Sequence, residues 1–217
     1  MATVEQAAPE GQRAWWLRTL LVLQAPRAVF AALLDESDEA VEARQEPVLA
    51  LVLLAGMAGV LLGFGHVLDD YVVDGLAFAI IVFFAGGIYG VFFYWLGGWA
   101  LSRGAKLLGA GGGDARLSRH VLAFAATPLA LSLLLLWPLR LALYGSDLFR
   151  TGGADASAAG QALRWVNAGF AAWSLVLLVL GVRTVQRFGW LRALGAALFA
   201  AALVAAVLGA WAFLPGK

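Results

Sequence analysis

The sequence contains no cysteine among its 217 residues. This absence excludes disulfides, thiolate metal sites, palmitoyl anchors and cysteine nucleophiles. Charge is also scarce, because charged residues make up 13% of the chain and hydrophobic residues make up 62%. Such a composition excludes a disordered chain and is extreme for a soluble domain. The 15 basic residues form no stripe interleaved with aromatic residues, so we expect no nucleic-acid partner.

The short motifs of common enzyme classes are missing as well. The sequence has no HExxH zinc motif and no GxSxG nucleophile motif. The glycine-rich stretch 109–113 is followed by no Gly-Lys-Ser/Thr and preceded by no strand pattern, so we interpret it as a flexible hairpin rather than a phosphate loop. We therefore predict that the protein is not an enzyme and has no catalytic, cofactor-binding or metal-binding residues and no cofactor.

Five long apolar segments are what the sequence does contain. None holds Asp, Glu, Lys or Arg, and each has about 17 residues or more, enough for a helix to cross a hydrocarbon core of about 30 Å. They are residues 47–68, 75–101, 121–139, 166–182 and 193–214. We predict an all-α integral membrane protein with five transmembrane helices, in which residues 1–46 form an N-terminal region and residues 47–217 form the membrane domain.

The N-terminal region has its own apolar pattern. Residues 12–24 hold two adjacent tryptophans but also two arginines, so a helix there is too short and too charged to span a bilayer and suits the headgroup region. Pro26 fits the first position of a second helix, whose apolar face carries Phe30 and Leu33. We predict a cytoplasmic tail followed by an interfacial amphipathic segment.

Residues 35–46 are strongly acidic. The stretch has a single cation, Arg44. Its carboxylates belong to Asp35, Glu36, Asp38, Glu39, Glu42 and Glu46. We interpret it as a solvated connector. The alternatives are a docking surface for a basic partner and, less favoured because nothing fixes its geometry, a divalent metal site.

The distribution of basic residues predicts the topology. With the N-terminus inside, the inner side carries eleven Lys and Arg residues and the outer side carries four. Basic residues near span ends favour the cytoplasmic side. We therefore predict a multi-pass protein of the cell membrane with a cytoplasmic N-terminus and an outer C-terminus.

Glycines and prolines in the spans suggest how the helices meet. Gly59 with Gly63, and Gly86 with Gly90, have the spacing that lets helix backbones approach closely, and we predict that they pack within the chain. The pair at 97–98 suggests a bend near the inner end of the second span. Pro128 predicts a kink in the third span, where Thr127 and Ser132 can hydrogen-bond back to their own helix.

His66 is the only His, Asp, Glu, Lys or Arg residue inside a predicted span. With Asp70 it forms an i, i+4 pair, from which a metal or proton site could be built. The favoured interpretation is an interfacial histidine beside a wet acidic turn, because one histidine with loop carboxylates is weak evidence of a site. His120, next to Arg119 at the start of the third span, is expected to face the headgroups.

Several short apolar motifs follow one another in a fixed order. They are Ala25-Pro26 with Phe30 and Leu33, Pro47, Leu96-Gly97-Gly98 with the glycine run to Gly113, Ala123-Phe124-Ala125-Ala126-Thr127-Pro128-Leu129, Gly181-Val182-Arg183, and Trp190-Leu191-Arg192-Ala193. In order and spacing they resemble the Yip1 domain family of membrane proteins, in its bacterial form. The resemblance implies five spans and a cytoplasmic N-terminus. For eukaryotic members it implies membrane trafficking with small Rab-type GTPases as partners, although their Asp-Leu-Tyr-Gly-Pro signature is absent here.

The function that follows from these features is non-enzymatic. We expect a membrane scaffold or accessory protein whose partners are the lipid bilayer and other membrane proteins or further copies of itself. The alternative is a subunit of a transport assembly whose polar path forms between chains, and an enzyme acting on lipids ranks third. The spans are too apolar to line a water path alone.

Overall fold

A computed structural model describes residues 10–64, 75–110, 114–145, 148 and 156–213. Within these ranges the chain forms nine α-helices and no strand, which confirms the predicted all-α class. The helices are α1 Glu10–Leu21, α2 Pro26–Ala32, α3 Asp38–Ala43, α4 Gln45–Phe64, α5 Gly75–Leu107, α6 Ala115–Ala125, α7 Thr127–Tyr144, α8 Ala158–Gln186 and α9 Trp190–Phe213.

Five helical stretches are long and apolar enough to cross a membrane, as predicted. They are Asp38–Gly63, Ala77–Leu107, Ala115–Tyr144, Ala158–Gln186 and Trp190–Leu208. Several helices extend beyond the uncharged segments, since a helix ends where its backbone is capped rather than where its side chains become charged. Ser157, for example, caps α8 by accepting a hydrogen bond from the Gly160 N–H at 3.3 Å, well before the predicted start at residue 166.

The third span lies at the centre of the bundle. This span consists of α6 and α7, which together contact α4, α5 and α8. The second span, α5, contacts α4, α6 and α9. The most apolar window of the third span is 56% buried inside the protein, but that of α5 is only 17% buried. Among the five spans, α5 therefore has the smallest share of residues buried inside the protein, and most of its apolar side chains lie on the surface.

Glycines bring α4 and α5 into backbone contact. A Cβ added at Gly90 would collide with the carbonyl oxygen of Val52, and one added at Gly86 would lie 2.6 Å from the Cα of Met57. Gly56, which the spacing rule missed, meets Gly90 in the same contact, and Gly59 packs against the ring of Tyr89. The prediction for Gly63 is wrong, since a Cβ there would have no atom of the described residues within 4 Å.

The glycine pair at 97–98 does not interrupt its helix, and the predicted bend there stays a prediction. The helix α5 runs unbroken from Gly75 to Leu107. A Cβ added at Gly98 would lie 3.0 Å from the Cα of Arg119, and one at Gly97 would lie 2.9 Å from the side chain of Leu122. These glycines serve to bring the start of α6 against α5.

The predicted kink at Pro128 is present as a break between two helices. The helix α6 ends at Ala125 and α7 begins at Thr127, with Pro128 in its first turn. As predicted, the Thr127 hydroxyl donates to the carbonyl of Phe124, and the Ser132 hydroxyl donates to that of Leu129, both at 2.8 Å. These bonds bring side-chain donors to carbonyls around the break.

The N-terminal helices dock on the bundle with one face and expose another. Trp15 lies against Phe124, with ring centroids 5.6 Å apart, and Phe30 and Leu33 are fully buried. Leu17 is 71% exposed, and Trp16 is exposed beside it. The predicted interfacial segment is therefore apolar on two sides. Trp15 and Phe30, which belong to the segment expected at the membrane interface, are buried against protein instead.

Candidate functional site

An apolar cavity of about 360 Å³ lies where α4, α5, α8 and the α6–α7 break meet. Seven of its described lining residues are glycine or alanine. They are Ala55, Gly56, Gly59, Gly90, Ala123, Ala125 and Ala126. Larger residues complete the wall, namely Val52, Tyr89, Phe93, Tyr94, Leu122, Leu129, Ser174, Leu175 and Leu178. None of these described lining residues is charged, so the cavity selects by shape and apolar contact.

Ser174 is a polar exception in this wall. Its side chain is 7% exposed, and its hydroxyl oxygen is buried with no hydrogen-bond partner among the described residues. An unpaired buried hydroxyl costs about 1–3 kcal/mol. With the hydroxyls of Tyr89 and Tyr94, Ser174 is one of three hydrogen-bonding side chains in an otherwise apolar wall.

A second space, a groove of about 200 Å³, adjoins the cavity. We call it the rim groove. It is lined by Gln45, Val48, Leu49, Val52, Val91, Tyr94, Trp95 and His120. Val52 and Tyr94 line both spaces, so the two are neighbours. The groove lies where α4 begins, beside residues 91–95 of α5 and the first half of α6. The predicted topology puts the basic residues of the second and fourth gaps on the same side of the membrane.

His120 is buried in the rim groove rather than facing the headgroups as predicted. It is 5% exposed, and its Nδ1 has no hydrogen-bond partner among the described residues. The expectation was wrong because it used only the distance of His120 from the end of the span. The close approach of α6 to Gly97 and Gly98 of α5 sets the real depth of this residue.

Arg119 is held beside the same groove by aromatic rings. Its guanidinium carbon lies 3.9 Å from the ring centroid of Trp95 and 5.8 Å from that of Tyr94. Cation–π contacts at these distances are worth about 0.5–2 kcal/mol. Stacking fixes the cation at the edge of the apolar groove.

Arg44 anchors the acidic stretch to the bundle. Its side chain is 1% exposed and donates to the carbonyl oxygens of Leu33 at 3.2 Å and Asp35 at 3.0 Å. The six carboxylates are exposed, as a solvated connector requires, but Arg44 makes the stretch an ordered one. Hydrogen bonds from the side chain and backbone of Ser37 lower the pKa of the Asp35 carboxyl. The burial of Arg44 could not be predicted from the sequence, because a single arginine within an acidic stretch is usually exposed to solvent.

Arg140 is a second buried cation that the sequence placed wrongly, in a gap after the third span. The helix α7 continues to Tyr144, so Arg140 belongs to it, with its guanidinium carbon 4.8 Å from the ring centroid of Trp137. Its side chain is 7% exposed. The predicted third span ends at residue 139, before the first charged residue. The burial of Arg140 was therefore not predicted, because an arginine can be buried when a helix continues past its apolar run.

The His66 and Asp70 pair lies outside the described residues, so the structure does not test it. Within the part of the chain that is described, no group of three or more His, Asp or Glu side chains could hold a metal ion. The predictions of no catalytic residue and no cofactor stay predictions. What the described site can do is bind an elongated apolar group with a polar end at the rim.

A family model described as the Yip1 domain matches residues 20–213, from within α1 to the end of α9. No curated protein matches, and no solved structure matches.

Proposed function

This chain belongs to the Yip1 domain family, and on that basis we propose that it is a non-enzymatic scaffold or accessory protein in membrane organisation or trafficking. The observation that supports the proposal is the outer face of α5. It presents large apolar side chains away from the bundle, among them Ile80, Phe83, Phe84, Ile88 and Phe92. Such a surface suits contact with the bilayer and with spans of other membrane proteins or of further copies of this chain.

Crosslinking in native membranes tests this role. Phe84 is 63% exposed on α5, and Leu198 is 60% exposed on α9. Because the chain has no cysteine, Phe84→Cys and Leu198→Cys each create one attachment point for a thiol-directed crosslinker. We expect discrete protein adducts from Phe84→Cys and only lipid or diffuse products from Leu198→Cys. Identical patterns from the two variants would contradict a scaffold contact through α5.

The same cysteine-free background tests the proposed orientation, with the N-terminus cytoplasmic and the C-terminus outside. Lys106→Cys and Arg187→Cys are expected to stay unlabelled by a membrane-impermeant thiol reagent in intact cells. Asp69→Cys and Lys217→Cys are expected to be labelled, and all four are expected to react after lysis. Labelling of Lys106→Cys in intact cells, without labelling of Asp69→Cys, would reverse the topology.

A flux assay separates the scaffold from a transporter. We expect no ion or polar-solute flux in liposomes that contain only this protein. The described cavity wall offers one serine and two tyrosine hydroxyls, too little to replace the hydration of an ion, whose transfer to low dielectric costs several kcal/mol. Flux that is robust, and that disappears with His66→Ala or Ser132→Ala, would favour the transport subunit instead.

A further inference from the structure

We propose that the rim groove and the cavity behind it bind one anionic phospholipid, with its phosphate beside Arg119 and His120 and an acyl chain in the cavity. This goes beyond the scaffold role, which does not require a bound lipid. In the orientation proposed above, the lipid comes from the cytoplasmic leaflet.

The cavity calls for an apolar occupant. Its volume of about 360 Å³ is within the range of about 300–1,000 Å³ typical of small-molecule sites. Apolar cavities stay dry, and an empty one deprives its lining atoms of dispersion contacts. Acyl chains are the apolar groups that surround a membrane-spanning bundle at high concentration. The shared wall residues Val52 and Tyr94 place the cavity next to the groove that would hold the headgroup.

The polar end of the rim groove, formed by Gln45 and His120, is suited to binding an anion. His120 is more than nine-tenths buried, lines the groove and has no partner for Nδ1 among the described residues. Gln45 adds an amide from the start of α4, and Arg119 is stacked on Trp95, which lines the groove. Arginine and amide N–H groups are donors that suit phosphate oxygens.

The surrounding charges favour a lipid with net negative charge over a zwitterionic one. Arg44, Arg116 and Arg119 all lie near enough to His120 to act on it electrostatically. Asp114 opposes them, but it is exposed and caps α6 by accepting a hydrogen bond from the Arg116 N–H at 3.0 Å. Asp35 and Glu36, which act on Arg44, are exposed as well. Basic pockets between spans on the cytoplasmic side are suited to anionic headgroups. Free phosphate fits less well, because it would leave Val48, Leu49 and Val91 uncovered.

Native mass spectrometry of the purified full chain tests the site. The probes are phosphatidylglycerol and phosphatidylcholine with identical acyl chains. We expect one retained phosphatidylglycerol and at least a tenfold preference for it over phosphatidylcholine. Arg119→Ala is expected to reduce the preference to threefold or less. Arg192→Ala removes an exposed cation of α9 at the same end and is expected to leave the preference unchanged.

A cavity-filling variant tests the acyl-chain half independently of Arg119. Ala55 lines the cavity, so Ala55→Phe is expected to lower retention of phosphatidylglycerol at least fivefold. Ala201→Phe, on an exposed face of α9, is the control and is expected to bind normally. Three results would overturn the proposal: equal retention of both lipids by the native chain, an unchanged preference in Arg119→Ala, or unchanged binding by Ala55→Phe.

Discussion

Gly90→Leu is expected to abolish accumulation of the folded protein. Any side chain at this position collides with the carbonyl of Val52, and even a Cβ would lie 3.2 Å from the Cα of Gly56. The clash is with backbone, which cannot rotate away as a flexible side chain can. Overpacking of a tight contact costs about 1–3 kcal/mol and occasionally more, and the α4–α5 contact depends on close approach. We expect a loss of about 3 kcal/mol or more, measured as unfolding in mixed detergent and as the monodisperse fraction on size-exclusion chromatography.

Gly63→Leu is the matched control for that variant. It places the same substitution on the same helix pair, but a Cβ there meets no atom of the described part of the chain within 4 Å. We expect native yield and native unfolding behaviour. If Gly63→Leu were as damaging as Gly90→Leu, general intolerance of leucine in these spans would explain both results and the backbone contact would not.

These two glycines also show how far the sequence predicted the packing. The i, i+4 spacing correctly marked Gly86 and Gly90 as a contact face, because residues at that spacing lie on the same side of a helix. It could not show how far along α4 the neighbour crosses. The crossing lies at Gly56, so Gly63 is too far from α5 to take part. The number of spans and the break at Pro128 were predictable because they depend on local composition and backbone chemistry.

The candidate site was harder to predict because its depth depends on other helices. His120 and Arg44 both follow charged or polar neighbours in sequence, which indicates exposure. In the fold, His120 is covered because Gly97 and Gly98 admit α6, and Arg44 is covered by the docked N-terminal helices. A buried polar side chain near the end of a span is thus a tertiary property.

The motifs that carry the family resemblance meet in space. A Cβ added at Gly181 would lie 2.7 Å from the side chain of Val121 and 2.9 Å from the ring of Phe30. Phe124, from the motif ahead of Pro128, contacts Trp15 in the same buried core. Motifs that are short and apolar in sequence therefore have a joint physical role, since they attach the N-terminal helices to α6 and α8.

Arg44→Ala is expected to release the N-terminal helices from the bundle. The guanidinium donates to the carbonyl of Leu33, which caps the end of α2, and to the carbonyl of Asp35 just after it. Its carbon also lies 5.6 Å from the ring centroid of Trp15. Each hydrogen bond to a charged group contributes about 1.5–3 kcal/mol, so losing two costs about 3 kcal/mol or more. Limited proteolysis in lipid nanodiscs is expected to cut residues 10–44 at least tenfold faster, while the five spans stay intact.

Arg27→Ala is the control, since it removes the same charge from an exposed position on α2. Its digestion rate is expected to match that of the native chain. Replacing Trp15, Trp16, Phe30 and Leu33 together with Ser is expected to reproduce the effect of Arg44→Ala, because it removes the apolar side of the same attachment. Native resistance to protease in both Arg44→Ala and the fourfold variant would contradict attachment of the segment through these residues. Fast cutting in both, with slow cutting in Arg27→Ala, would identify the buried guanidinium and the Trp15–Phe30 face as the attachment.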